Sequence, residues 1–306
     1  MGDYTAERTI FLNDGTRMPL LGLGTWKAST EVAQQAIEAA IAAGYRHIDT
    51  AYSYRNEVEL GRAIHAKIKQ GIISRKDMFI VSKLWCTHHA TSDVQLCLSQ
   101  SLRDLQLEYL DLYLIHFPVA LKRVGDELFP MKDGKLLTTD IDYVDVWRKM
   151  EALQASGQVK SIGVSNFNIV QLERLLSVAK VPPAVNQVEL HPYLVQSDLI
   201  QFCKDRNIAL TAYSPLGPPE DPQSNPLVQS VAKKYKRSPA QVLLRYHVQQ
   251  GIAVIPRSIK PNHILENTKI FDFSLHEEDF RALQGLDRGW KACTLDALKS
   301  HPYYPF

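Results

Sequence analysis

Long apolar runs are absent. No stretch approaches the roughly 20 apolar residues a membrane-spanning helix needs. The first residues, Met1-Gly2-Asp3-Tyr4-Thr5-Ala6, have no apolar leader core, and Ala6 stands where a myristoylation signal needs Ser or Thr. Cysteine is scarce. Cys86, Cys97, Cys203 and Cys293 are scattered without a CxxC pair, which excludes a disulfide framework and a zinc ribbon. Reduced thiols and a cytoplasmic protein are the expectation, and no Asn-x-Ser/Thr acceptor argues otherwise. Neither sign of charge dominates: 35 basic and 33 acidic residues leave +2, so nothing global points to nucleic acid or a membrane surface. The basic cluster Lys233, Lys234, Lys236 and Arg237 reads as a solvated helix end. A glycine fingerprint for dinucleotides is also missing. Gly22-Leu23-Gly24 has no third glycine, and no acidic residue follows a second strand at the right distance.

What is there is a rhythm. The chain has 306 residues, 45% of them hydrophobic, enough for a large core. A β-hairpin is expected first, from Thr9 to Leu20 around Asn13-Asp14-Gly15-Thr16. Strand and helix then alternate. Short apolar strands are expected at Tyr45–Ile48, Met78–Ser82, Leu112–Ile115, Val159–Val164, Ala184–Asn186, Ile208–Ala212 and Ile252–Ile255. Helices follow them, and Ser238 with Pro239 marks one helix start. An eighth strand fits near Leu21–Gly24, before the helix at Glu31–Ala43. A loop without structure is expected from His116 to about Thr139, and a Pro-rich loop at Pro215–Pro226. Strands that read as continuous apolar runs are buried on both faces, as in a parallel sheet. Eight such units make a (β/α)8 TIM barrel, here one domain over residues 1–306 with an N-terminal hairpin and two extra helices. An open doubly wound sheet is the second choice.

Polar residues stand where seven of these strands stop: Asp49, Lys83, His116, Ser165-Asn166, Gln187, Tyr213 and Arg257-Ser258. In a parallel barrel all these ends meet on one rim, where barrel active sites lie. Each has a dull explanation alone: a solvated lysine, a satisfied histidine, a glutamine bonded to a loop. Together they demand seven coincidences. The set suits proton donation to a carbonyl. Tyr54, in the loop after Asp49, is a weak acid with an ordinary pKa of about 10. A nearby Lys83 ammonium is expected to lower it, with Asp49 holding the lysine and His116 orienting the substrate oxygen. Asn56 is expected to cap the helix from Glu57. No metal cage is expected, since His88-His89 is the only close histidine pair. The hydride must then come from a bound cofactor.

At these residues the chain resembles the aldo-keto reductases, in the branch of the aldose and aldehyde reductases and the hydroxysteroid dehydrogenases. The matching stretches run nearly end to end: Gly44 to Tyr54, Ser82-Lys83-Leu84-Trp85, Ile115-His116-Phe117-Pro118, Gly163 to Phe167, Asn186-Gln187, Tyr213 to Gly217, and Ile255-Pro256-Arg257-Ser258. The resemblance implies a catalytic set of Asp49, Tyr54, Lys83 and His116, with Tyr54 as proton donor. It implies NADP(H) as cofactor. Ser165, Asn166 and Gln187 would hold its carboxamide and Tyr213 its ring. Ser214 to Gly217, Leu216 among them, would line its pyrophosphate, and Gly24, Thr25, Trp26 and Asp49 would lie beside it. Arg257, Ser258 and His263 would face the 2′-phosphate, and Glu266 and Asn267 the adenine. Arg257 stands in place of the family's lysine and His263 in place of its arginine, which implies a looser preference for NADPH over NADH. The substrate pocket implied is Trp26, Tyr54, Trp85, His116, Phe117, Phe129, Cys293 and Leu295. The resemblance thus implies a monomer that reduces an aldehyde or ketone, steroid-like ketones included. Phe117 stands where aldose reductases have tryptophan, and the Pro218–Pro226 loop is shorter than theirs. A branch that reduces steroid C=C bonds carries glutamate in place of His116, so reduction of C=O is implied. The second function class is a non-catalytic relative, such as a channel β-subunit or a lens crystallin.

Overall fold

The computed structural model describes residues 8–28, 30–217 and 222–306. Part of the Pro218–Pro226 loop therefore lies outside the described residues, as does the segment before Arg8. The hairpin is β1 (Thr9–Phe11) and β2 (Arg17–Pro19), antiparallel, with Thr9 opposite Pro19. Its turn docks on the N-terminal end of the barrel. Ser161 Oγ donates to Asp14 Oδ2 at 2.6 Å, and Asn13 Nδ2 donates to Pro183 O at 3.0 Å.

The barrel strands come next. They are β3 (Leu23–Gly24), β4 (His47–Asp49), β5 (Phe79–Leu84) and β6 (Leu110–Ile115). Within the stretch expected to be bare loop, the structure has two small antiparallel ladders. β7 (Ala120–Leu121) pairs with β10 (Thr138–Thr139), and β8 (Met131–Lys132) with β9 (Lys135–Leu136). Two-residue ladders are too short to print a period of two in the sequence. The barrel resumes with β11 (Val159–Ser165), β12 (Val185–Glu189), β13 (Ala209–Tyr213) and β14 (Ala253–Val254). All eight are parallel, in the order β3-β4-β5-β6-β11-β12-β13-β14.

The ring closes where β3 meets β14. Leu21 bridges Val254 and Gly24 bridges Arg257, both parallel. Val254 N donates to Leu20 O at 2.7 Å, and Gly22 N to Val254 O at 2.9 Å. A Cβ on Gly24 would stand 2.6 Å from the Ile255 carbonyl oxygen, so the glycine lets this seam shut. Its place in the chain has nothing to do with a phosphate fingerprint.

Helices clothe the barrel: α1 (Thr30–Ala42), α2 (Glu57–Lys69), α3 (Val94–Leu105), α4 (Tyr143–Ala155), α5 (Ile169–Leu176), α6 (Ser197–Asp205), α7 (Pro226–Tyr235), α8 (Pro239–Val248), α9 (Pro261–Glu266) and α10 (Glu277–Gln284). Local chemistry sets their ends. Ser238 and Gln241 form a reciprocal cap at the start of α8, with Pro239 at its first position. Eight helices serve the eight strands, and α7 and α10 are additional. They pack on α8 through a second apolar cluster that includes Val228, Val231, Val242, Tyr246 and Leu283. The Phe280 ring stacks on Tyr246 at 4.8 Å. None of the helices is long and apolar enough to cross a membrane among the described residues. β5 and β6 are buried along their whole length. Their side chains can therefore reach the rim only at the C-terminal ends.

Candidate active site

The rim is built from strand ends. Asp49 is the last residue of β4, Tyr213 the last of β13 and Ser165 the last of β11, while His116 follows β6 directly. Two residues sit deeper than the sequence indicates. Lys83 lies inside β5, opposite Leu114 of β6, and is fully buried. Gln187 lies in the middle of β12. A lysine looks like a strand terminator because burying an ammonium is costly. Here a carboxylate on the next strand removes that cost. Lys83 Nζ donates to Asp49 Oδ1 at 2.5 Å and to Thr50 O at 2.9 Å. Gln187 Nε2 donates to the other oxygen, Asp49 Oδ2, at 2.7 Å.

Tyr54 ends a 3-10 turn, Tyr52–Tyr54, and its hydroxyl oxygen lies 3.4 Å from Lys83 Nζ. The turn is braced from two sides. Arg55, in the left-handed region at φ 57°, donates to Asp126 O. Asn56 does not cap α2 with its side chain, contrary to expectation. Its Nδ2 instead donates to Thr25 O at 2.9 Å and to Ala28 O at 3.3 Å, tying this turn to the segment after β3. Glu57, the first residue of α2, is buried and accepts from Ser82 Oγ at 2.6 Å and Ser101 Oγ at 2.7 Å.

The electrostatics differ from the expectation in one respect. Burial pushes the Tyr54 hydroxyl well above its ordinary pKa, and the Asp49 charge pushes the same way. The expected lowering by Lys83 is not found: burial leads, and the charges that act on the hydroxyl all raise it. Burial lowers the Lys83 ammonium as well, and the Asp49 carboxylate opposes that fall. His116 is lowered well below the ordinary imidazole value by burial and then by the Lys83 charge. At neutral pH the floor therefore holds a protonated Tyr54 beside a neutral His116.

Above that floor the walls are aromatic. The His116 ring lies 5.8 Å from Tyr54, 5.2 Å from Trp85, and stacks on Phe117 at 5.1 Å. Phe129 meets Trp85 edge-on at 5.3 Å, and Trp85 Nε1 donates to Leu128 O at 2.8 Å. Cys293, from the C-terminal tail, shares a hydrogen bond with the Tyr213 hydroxyl. Leu295 sits in a left-handed turn two residues on, at φ 46°. Trp26 stands apart at the rim, 53% exposed, with Lys27 Nζ over its ring at 4.3 Å.

A second network runs along the rim. Tyr213 Oη donates to Asn166 Oδ1 at 2.7 Å, and Asn166 Nδ2 donates to His116 O at 3.0 Å. Ser165 Oγ donates to Gln187 O at 2.8 Å. Asn166 (φ 61°) and Ser214 (φ 49°) both hold left-handed backbone, which serine adopts at a cost, and such strain gathers at functional sites. Thr25 Oγ1 donates to Asp49 O at 2.9 Å. At the far edge Arg257 is exposed, and its Nη1 reaches Trp26 O at 3.5 Å. Ser258 Oγ is bonded only within its own turn, to Lys260 O at 3.4 Å. His263 is exposed on α9, and Glu266 contacts Ser238 Oγ. Asn267 is buried and hydrogen-bonds Tyr45, so its side chain is turned inward. Leu216 packs at the junction of the two apolar clusters.

One group at the rim has no counterpart in the sequence reading. Glu189 ends β12, two residues beyond Gln187 and therefore on the same face. That alternation, polar at Gln187 and again at Glu189 in a buried strand, was the available signal.

Comparison with known proteins agrees with this geometry. The model of the Aldo/keto reductase family matches residues 20–288. Aldo-keto reductase family 1 member A1-A of Danio rerio is 45% identical, over 97% of this chain and 98% of its own. Aldo-keto reductase family 1 member A1 of Homo sapiens is 44% identical, over 98% of both. The solved structure of the aldose reductase from Schistosoma japonicum superposes with a TM-score of 0.94 at 38% identity, covering 97% of this chain and 98% of that one. With a closed barrel, a buried carboxylate–lysine pair under a tyrosine, and these relatives, the chain belongs to the aldo-keto reductase family, oxidoreductases that act on carbonyl compounds with a nicotinamide cofactor.

Proposed function

We propose that the protein reduces an aldehyde or ketone to the alcohol with NADPH, and that Tyr54 gives the proton. One observation carries this reading: Asp49, Lys83 and Tyr54 lie in a line of 2.5 Å and 3.4 Å contacts beneath a neutral His116. Bound NADPH supplies the hydride. The chain's residues do the rest. His116 and Tyr54 converge on the carbonyl oxygen and orient it. As negative charge grows on that oxygen it becomes an alkoxide, a stronger base than a phenolate. A tyrosine that holds its proton above the ordinary value can still hand it over. Lys83 Nζ is placed to hydrogen-bond the phenolate oxygen as its charge appears, and Asp49 keeps the ammonium in place. Neutral His116 has no extra proton to give, which leaves the acid's role to Tyr54.

The donor set fits the cofactor. Ser165, Asn166 and Gln187 offer a hydroxyl and two amides, as a carboxamide requires, beside the flat ring of Tyr213. Ser214 and Gly217, both at positive φ, shape the turn that would line the pyrophosphate. Exposed Arg257, with Ser258, suits a 2′-phosphate, and His263 lies on the neighbouring helix. Trp85, Phe117, Phe129, Cys293 and Leu295 line a pocket for an apolar carbonyl compound. A cytoplasmic monomer fits four free thiols. The Asp49–Lys83–Tyr54 contacts, with His116 beside Tyr54, weigh against a non-catalytic relative.

The test is Tyr54→Phe, which keeps the ring and removes the acid. The value of kcat is expected to fall about a hundred- to ten-thousandfold, while NADPH still quenches the protein's fluorescence with unchanged affinity. A variant with a tenth of the parent rate would remove Tyr54 from the role.

A further inference from the structure

The C-terminal tail has little regular structure, yet Cys293 is hydrogen-bonded to the Tyr213 hydroxyl and Leu295 packs against the apolar core, both in the pocket proposed above. Something must hold it there. Glu189 is 2% exposed, and its carboxylate collects donors from two directions. Oε1 accepts from Ala292 N at 2.9 Å and faces His191 Nε2 at 2.8 Å. Oε2 accepts from Cys293 N at 2.9 Å and Ala292 N at 3.1 Å. Burial alone would raise this carboxyl. The bonds from His191, Ala292 and Cys293 reverse that and hold it below its ordinary value, so it is ionised. A carboxylate only accepts, hence Nε2 of the fully buried His191 carries the proton it donates. The loop after β12 ties down the earlier tail too. Trp290 N donates to Tyr193 O at 2.9 Å, Arg288 N to the same oxygen at 3.3 Å, and Val195 N to Asp287 Oδ1 at 3.3 Å. Glu189 is the tether made by a buried charge, and it holds the backbone of both Ala292 and Cys293.

We propose that Glu189 is a positioning residue for substrate selection: its carboxylate fixes the Ala292–Leu295 turn as a wall of the pocket, and so sets affinity for carbonyl compounds large enough to reach it. This rests on the pocket assigned above. Glu189 touches neither the reacting atoms nor the Asp49–Lys83–Tyr54 line. Its loss should therefore change KM for large substrates and leave kcat alone. A glutamine in its place has one acceptor oxygen and sets an amide N–H against a backbone N–H. A hydrogen bond to a charged group has a value near tenfold in equilibrium terms.

The experiment uses Glu189→Gln and reads two quantities. The first is the rate at which iodoacetamide alkylates Cys293. Cys86, Cys97 and Cys203 are buried, so Cys293 is the thiol that reports the tail. The rate is expected to rise about tenfold or more. The second is steady-state kinetics with propanal and with 2-naphthaldehyde. KM for naphthaldehyde should rise about tenfold, while kcat for both and KM for propanal stay within about twofold. If Glu189→Gln does not fold, Ala292→Pro removes one donor from an exposed position and carries the same two expectations. Unchanged alkylation overturns the proposal whatever the activity does. So does a fall in kcat for both aldehydes without the KM split. A protein that reduces neither aldehyde, but whose variant alkylates faster, keeps the tether and overturns the reaction instead.

Discussion

Removing Lys83 alone is expected to destabilise the protein more than removing Lys83 and Asp49 together. The pair is buried to 0% and 1% exposure, with the carboxylate's second oxygen held by Gln187. Lys83→Met strands a carboxylate in the barrel with one amide for company. Breaking a buried ion pair from one side costs about 3–5 kcal/mol. The unfolding entropy of a chain of 306 residues is about 0.6 kcal/mol/K at roughly 2.1 cal/mol/K per residue. The melting temperature should then fall by about 6 °C. Asp49→Asn strands the ammonium and should cost a similar amount. In the double variant neither charge remains, so the penalty of an unpaired buried charge is gone. Its melting temperature should return to within about 2 °C of the parent. Activity should not return, since the donor beside Tyr54 is gone. Calorimetric melts of the four proteins in one buffer decide the matter. Single variants that melt with the parent, or a double variant no better than either single, would refute the account of why a lysine sits inside β5.

Three further outcomes follow from the same geometry. Glu57 is pushed up to about 7 by burial, against an ordinary 4.5. The folded protein thus holds a proton that the unfolded chain has released, and stability should fall by roughly 3 kcal/mol as pH rises through that window. Glu57→Gln should flatten this slope in urea midpoints measured from pH 5 to 7.5, and an unaltered slope counts against it. With an α,β-unsaturated ketone the main product should be the unsaturated alcohol, because His116 and Tyr54 address the carbonyl oxygen; a saturated ketone would contradict that. Arg257→Met should narrow the ratio of kcat/KM for NADPH over NADH about tenfold or more. A preference untouched by it would dismiss Arg257 as the phosphate's partner.

The barrel was legible because strands buried on both faces print as apolar runs, and because Gly and Pro punctuate them. Leu112–Ile115 and Phe79–Val81 are such runs, and the helix expected at Glu31–Ala43 lies at Thr30–Ala42. The rim was legible for the opposite reason: polar residues at strand ends interrupt those runs. What was not legible depends on partners far away in the chain. Lys83 reads as a strand end until Asp49, on the neighbouring strand, is known to face it. Asn56 has the right chemistry to cap α2, but the carbonyls of Thr25 and Ala28 offer it better use. The role of Glu189 is not legible because the backbone donors it holds, Ala292 N and Cys293 N, lie more than a hundred residues away. The small ladders β7–β10 and β8–β9 fall below the length at which a pattern exists.

The proton affinities bring these threads together. A sequence shows which titratable groups a site contains, and burial decides which of them keeps its proton. At this floor burial acts on three groups with different results. It raises Tyr54, so the acid proposed above is loaded at neutral pH. It lowers His116, so the imidazole is neutral and can orient an oxygen without competing to protonate it. It lowers Lys83 too, but Asp49 opposes that shift, and the ammonium's charge adds to the burial that depresses His116. In the mechanism proposed above Lys83 has two effects that favour one outcome: it is placed to hydrogen-bond the Tyr54 phenolate, and its charge adds to the burial that keeps His116 neutral. Exchange of Lys83 for a neutral residue removes the hydrogen bond and leaves burial alone to hold His116 neutral. The roles proposed for Tyr54 and His116 thus draw on a lysine that the barrel buries with Asp49 on the strand beside it.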